Sequence, residues 1–303
     1  MNISYLPVVL LHGIFSGASY MEPIRTYLEQ QFPSISVVNV KYGEDEILTS
    51  FSNIENQLDL INTFIQQQEC LKNKPFIFIG HSQGGLLARC WIEKYGNTLR
   101  PHTLISLGSP QAGYFGIPDM FNTISTALPQ SSSVESSAML GFYQDLFTEI
   151  INSRDSAYEL FYASETQEML GLSEYWKDPK HYDQYFSCSQ MLPYYNNEKV
   201  HPLNKQYKDN ITALTKIVLV ASTQDDVIEP PNSAHWMFYK PNSDTVLEEN
   251  FTSTDQYTNN LLGLKDMYDA QKIDFKEVHC VHTQYQDDPE VLHLIGTYMV
   301  QDS

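Results

Sequence analysis

The chain has 303 residues, 42% hydrophobic and 18% charged, an ordinary composition for a soluble globular protein that excludes extended disorder. Its 37 acidic residues against 18 basic ones give a net charge of −19, which repels a phosphate backbone and argues against nucleic acid as a partner. No stretch approaches the run of about 20 apolar residues that spans a bilayer, and Cys70, Cys90, Cys188 and Cys280 have neither the density of a disulfide scaffold nor the paired spacing of a zinc site.

Val8 to Leu11 is wholly apolar and ends at His12-Gly13, the pattern of a central strand buried on both faces and then a turn. Short runs of the same kind recur at Ser36 to Val40, Phe76 to Ile79, Leu104 to Leu107, Ile217 to Val220 and Glu277 to Val281. Between them, Ile54, Leu58, Ile61 and Ile65 fall at helical spacing, and Leu86 to Tyr95 continues from a Gly-rich turn. Val291, Leu292, Ile295 and Tyr298 mark a closing helix after Pro289. This alternation predicts an α/β fold, a mostly parallel sheet with helices on both faces.

From about Gln111 to Thr215 the alternation breaks, for far longer than an ordinary connection. The stretch carries a Ser-rich patch, Ser131 to Ser137, and then Tyr143, Phe161, Tyr175, Trp176, Tyr185, Tyr194 and Tyr195. It reads as an insertion capping the sheet, with most of these aromatics forming the core of a small helical subdomain. The expected organisation is one domain over 1–303, with a cap-like insertion at about 111–215.

Gly80-His81-Ser82-Gln83-Gly84 is a G-x-S-x-G pattern between a predicted strand and a predicted helix, the context of a nucleophile elbow. Glycines on either side permit a tight turn in which the serine adopts a strained backbone and lifts its hydroxyl out of the sheet. The unpaired N–H groups of the following helix then favour a developing negative charge. His12-Gly13 after the first strand marks the loop that supplies a second oxyanion donor, so the backbone N–H groups of Ile14 and Gln83 are the expected pair. His12 itself reads as a residue that shapes the loop.

A serine hydroxyl needs a base, and the base needs an orienting acid, in the chain order serine, acid, histidine. The loop from Ser222 to Pro230 follows a core strand and offers Asp225 first, with Asp226 as runner-up. His282, just beyond the last predicted strand, is the expected base. On a strand over Glu277 to Val281, His279 would lie within the sheet, and His293 falls on the closing helix. A metal site from His279, Cys280 and His282 is disfavoured because neighbours on a strand face opposite sides. No metal or cofactor is expected.

With these residues in place, the chain resembles the palmitoyl-protein thioesterase family, and is most similar to its type-2 branch of lysosomal thioesterases. The likeness rests on Pro7-Val8-Val9-Leu10-Leu11-His12-Gly13, His81-Ser82-Gln83-Gly84-Gly85-Leu86 and Leu104-Ile105-Ser106-Leu107-Gly108-Ser109-Pro110-Gln111. It extends to Tyr175-Trp176-Lys177-Asp178-Pro179, Asn197-Glu198-Lys199-Val200-His201-Pro202 and Asp225-Asp226-Val227-Ile228-Glu229-Pro230. The resemblance implies the α/β-hydrolase fold, with Ser82 as nucleophile, Asp225 as acid and His282 as base. It also implies hydrolysis of fatty-acyl thioesters, in S-acylated peptides or acyl-coenzyme A, with an insertion between the sixth and seventh strands shaping an acyl groove.

The triad alone does not separate a thioesterase from an oxygen-ester lipase or carboxylesterase. A non-catalytic binding protein on a hydrolase scaffold is the reading from another class, and the complete set of Ser82, Asp225 and His282 argues against it. Localisation is expected to be lysosomal or secreted, with cytoplasmic as the alternative. The acidity suits an acidic compartment, where carboxylates are partly protonated, and sequons stand at Asn2-Ile3-Ser4, Asn210-Ile211-Thr212 and Asn250-Phe251-Thr252. Against this, the first strand begins close to Met1, as in a cytosolic protein or one whose signal peptide has been removed. The sequence leaves oligomeric state open.

Overall fold

Six strands, β1 (Val8–Leu11), β2 (Val37–Asn39), β3 (Pro75–His81), β4 (Arg100–Leu107), β5 (Lys216–Ser222) and β6 (Ile273–Val278), lie in one sheet. The order is β2-β1-β3-β4-β5-β6, with every neighbouring pair parallel. The structure is a computed structural model that describes residues 5–117, 134–153 and 156–299.

The apolar runs follow from burial on two sides. Val8, Leu10, Ile77, Ile79, Ile105, Leu107, Val218 and Val220 point to one face, where they meet Ile24 and Leu28 of α1 (Glu22–Gln31) and Val291 and Ile295 of the C-terminal helix Pro289–Gly296. Val9, Leu11, Phe76, Phe78, Leu104 and Leu219 point to the other, against α3 (Ile54–Gln66) and α4 (Gln83–Tyr95). A short helix, α2 (Glu46–Thr49), precedes α3. Because the side chains on both faces are sequestered, each such aliphatic contributes about 1.5–3 kcal/mol and no polar alternation appears. Two of the helix starts are capped by side chains that suit the role: Asn53 accepts from the Asn56 N–H at 2.8 Å at the start of α3, and Asp288 accepts from the Glu290 N–H at 2.8 Å at the start of the C-terminal helix.

The last strand departs from expectation. It runs over Ile273–Val278 rather than Glu277 to Val281, because an edge strand paired only with β5 is half-buried and alternates apolar with charged residues. Val278 and Cys280 are buried just as a strand core would be, which is what displaced the sequence signal.

The predicted insertion falls between β4 and β5 of this six-stranded sheet, and its described residues contain no strand of the sheet. The helix Val134–Asn152 and several helices of four to nine residues fill it. The Ser-rich patch begins outside the described residues. Tyr143, Phe161, Tyr175, Trp176, Tyr185 and Tyr195 are buried, with Phe161 stacked on Trp176 at 4.3 Å between ring centroids, so they form the interior of this layer. Arg89 of α4 ties the layer to the sheet. Its guanidinium donates to Gln111 Oε1 at 2.7 Å and to Glu93 Oε1 at 2.8 Å, and lies 5.3 Å from the Trp236 ring centroid. A second irregular stretch, 231–270, joins β5 to β6 through short helices.

Candidate active site

Ser82 sits between β3 and α4 with φ 55° and ψ −131°, a left-handed conformation costing on the order of 1–3 kcal/mol in a non-glycine residue. Tight packing on both sides of the turn imposes it. A Cβ on Gly84 would lie 2.3 Å from Leu11 O, and one on Gly80 2.4 Å from Gly84 O, so neither position accepts a side chain without moving backbone. The Ser82 N–H donates to Leu107 O at 2.9 Å, which fixes the turn to the end of β4. Ser82 is thereby raised at the C-terminal edge of the sheet, where open parallel sheets place their sites.

Asp225 and His282 come together beside it. His282 Nδ1–H donates to Asp225 Oδ2 at 2.9 Å, with the two side chains 7% and 1% exposed. The other carboxylate oxygen of Asp225 accepts the N–H groups of Val227 at 3.0 Å and Ile228 at 2.9 Å, so its orientation is fixed by its own loop. Asp226 Oδ1 accepts the backbone N–H of His282 at 3.1 Å. Of the two aspartates, Asp225 therefore meets the imidazole and Asp226 the main chain. Among the described residues no hydrogen bond joins the Ser82 hydroxyl to His282; such contacts are often long without substrate and tighten when it binds.

His81 lies under His282, with 4.7 Å between ring centroids, and its Nε2–H donates to His282 O at 3.1 Å. Burial, and then the neighbouring His282, hold its pKa well below the ordinary histidine value, so it buttresses the base as a neutral ring. His279 lies past the end of β6 rather than within the sheet. It is exposed, 3.5 Å from Glu290, and does not reach the site. His293 is on the outer face of the C-terminal helix. His12 is buried against Tyr42 with 4.8 Å between ring centroids, and its Nδ1 bonds to Gly13 O at 2.9 Å. Burial lowers its pKa, and its contacts serve the loop it begins. Among the described residues no group of His, Cys, Asp and Glu could hold a metal ion.

The loop after β1 passes directly over Ser82, since a Cβ on Gly13 would lie 2.9 Å from Ser82 Cβ. Phe15, at φ 60°, donates its N–H to Ser50 Oγ at 3.0 Å. Among the described residues the N–H groups of Ile14 and Gln83 have no protein acceptor, which leaves them available to a negative oxygen. Ser50, Gln57 and Tyr175, which surround the Gln83 side chain, were not legible as site residues. They are scattered along the chain, and no spacing marks them.

A family model described as palmitoyl protein thioesterase matches residues 7–282. Palmitoyl-protein thioesterase 3 of Dictyostelium discoideum is 32% identical over 279 residues, 92% of this chain and 86% of that protein. The lysosomal thioesterase PPT2 homolog of Drosophila melanogaster is 30% identical over 297 residues, 97% of this chain and 91% of its own. Among solved structures, the esterase RhEst1 from Rhodococcus aligns with 98% of this chain and 92% of its own, with 13% identity and a TM-score of 0.49. With a match that takes in the elbow, the acidic loop and His282, the chain belongs to the palmitoyl-protein thioesterase family.

Proposed function

We propose that this thioesterase hydrolyses fatty-acyl thioesters through an acyl-enzyme on Ser82. The Ser82 oxygen attacks the acyl carbon while His282 takes the hydroxyl proton, and Asp225 stabilises the resulting imidazolium. The carbonyl oxygen becomes an oxyanion facing the Ile14 and Gln83 amides. Collapse of the tetrahedral intermediate breaks the C–S bond, and His282 returns the proton to the leaving sulfur. Water then attacks the acyl-serine through the same base, releasing the fatty acid and restoring the Ser82 hydroxyl. The observation that carries this reading is the buried 2.9 Å bond from His282 to Asp225 beside a serine held at φ 55°.

S-acylated peptides and acyl-coenzyme A are the substrate class, and the 111–215 segment is read as the cap of a single hydrolase domain, shaping the acyl groove. The test is a side-by-side assay of palmitoyl-coenzyme A and a matching oxygen ester, on protein whose active sites are counted with a fluorophosphonate probe. A specificity constant favouring the thioester supports the assignment, and one favouring the oxygen ester makes the protein an esterase.

For localisation, support for a lysosomal or secreted site comes from the name of the Drosophila relative and from Asn250, an exposed sequon residue. Asn210 is unsuited to glycosylation, since its amide donates to Glu93 O at 2.8 Å. A glycosidase-sensitive mass on Asn250 is the expected result, and an unmodified Asn250 in protein from its native cells favours the cytoplasm.

A further inference from the structure

We propose that Ser50 is a positioning residue that sets the oxyanion site, and that Tyr175 extends its grip into the inserted layer. The proposal rests on the reading that Ile14 and Gln83 supply the oxyanion donors. Ser50 follows α2 and is fully buried. Its hydroxyl accepts the Phe15 N–H at 3.0 Å and donates to Ile47 O at 2.6 Å, so both functions of the group are used. This contact holds the left-handed turn at Phe15, and hence the direction of the preceding Ile14 amide. The backbone carbonyl of the same serine accepts Gln83 Nε2 at 2.9 Å. One residue therefore touches the segments that carry both donors.

The Gln83 side chain is held at every polar atom it offers. Its amide nitrogen also donates to Gln57 Oε1 at 2.9 Å, and its Oε1 accepts the Tyr175 hydroxyl at 2.9 Å. Gln57 is fixed in turn, donating to Ser52 O at 2.5 Å and to Ser50 O at 3.2 Å and accepting the Tyr42 hydroxyl at 3.3 Å. Gln83 is 1% exposed and Gln57 fully buried, so a rotamer change in either would strand buried donors and acceptors. A fully satisfied network of this kind is rigid. Rigidity is what oxyanion stabilisation needs, because donors that must reorganise at the moment of reaction lose their advantage. Tyr175 is the one member from the 111–215 segment, so its hydroxyl links that layer to the nucleophile's own neighbour.

The experiment compares Ser50→Ala and Tyr175→Phe with the parent protein, with sites counted by fluorophosphonate labelling taken to its endpoint. The expected result for Ser50→Ala is kcat per labelled site down by roughly 10- to 100-fold, less than or equal to loss of one whole donor. KM should stay within about threefold, and affinity for a trifluoromethyl ketone analogue of the acyl group should fall by a factor similar to kcat. Tyr175→Phe should show the same pattern at several-fold, and it carries the test if Ser50→Ala does not fold. A purely structural role would lower the melting temperature and the fraction of labelled sites but leave kcat per site and analogue affinity within about twofold of the parent, and that outcome overturns the proposal. Failure of the underlying mechanism would look different, because Ser82 would then not take the label at all.

Discussion

Asp226 accepts the backbone N–H of His282 at 3.1 Å, while the imidazole of the same histidine turns to Asp225 at 2.9 Å. The adjacent aspartates thus divide the work of holding one residue. Asp225→Asn puts an amide where the imidazolium needs a charge and can favour the wrong tautomer, so kcat should fall by up to about 10⁴-fold. Asp226→Asn keeps an oxygen for the main-chain N–H, and its loss should stay within about tenfold. Steady-state kinetics on palmitoyl-coenzyme A rank the two, and a larger loss at Asp226 would reverse the assignment.

Much of this was legible in the sequence, and the parts that were not share a physical cause. Val8 to Leu11 matched its strand residue for residue because burial on two faces leaves an uninterrupted apolar signal. The elbow was legible because Gly80 and Gly84 stand where backbone presses on backbone. β6 is displaced in the sequence reading because Asp274, Lys276 and Glu277 interrupt the apolar residues of this edge strand and give a mixed pattern. The same shift places His279 inside the sheet in the sequence reading, whereas it lies exposed past the end of β6. The 231–270 stretch has buried Phe251, Leu262, Leu264 and Met267 but no period to announce them, and the Ser50–Gln57–Gln83–Tyr175 network depends on tertiary contacts alone.

Glu174 gives the fold a pH dependence. Burial pushes its carboxyl up to about 8, against the opposing hydrogen bond from the Ile54 N–H at 2.6 Å, while in the unfolded chain it titrates near 4.3. Between those values the folded state binds more protons than the unfolded one. The contribution to stability is therefore full below the unfolded value and is lost as pH rises through about 8. Buried His12 and His81, with lowered pKa values, act oppositely, adding stability that is lost as pH falls below about 6.5, so the comparison must be with a variant. Glu174→Gln should flatten the profile, with the parent losing on the order of a few kcal/mol relative to it between pH 5 and 8.5. Denaturant titrations across that range check this, and parallel curves would exclude Glu174 as the source.

Arg89 and Glu93 form an ion pair whose side chains are both fully buried. Removing one partner leaves a charge stranded, so Arg89→Ala should cost about 3–5 kcal/mol in urea unfolding. Replacing both together, Arg89→Met with Glu93→Leu, should recover most of that loss. A single variant with unchanged stability would mean that the buried pair does not hold the fold together.

On the proposal that the inserted layer shapes an acyl groove open along its length, longer acyl chains should be preferred. Each methylene buried adds up to about 0.8 kcal/mol, a few-fold in affinity, so the specificity constant should climb from butyryl- to palmitoyl-coenzyme A when each is kept below its micelle concentration. A peak at the short end followed by a fall would mean a groove closed by a bulky side chain, with the thioesterase assignment intact.

The central claim is that Ser82 carries the acyl group, and turnover of palmitoyl-coenzyme A by Ser82→Ala tests it most directly. Loss of the nucleophile costs several orders of magnitude in rate in hydrolases of this mechanism. The expected result is a folded protein, with the parent's melting behaviour, whose rate is at least about 10³-fold lower. Retention of more than about a tenth of the parent's activity would contradict the account and move the nucleophile elsewhere.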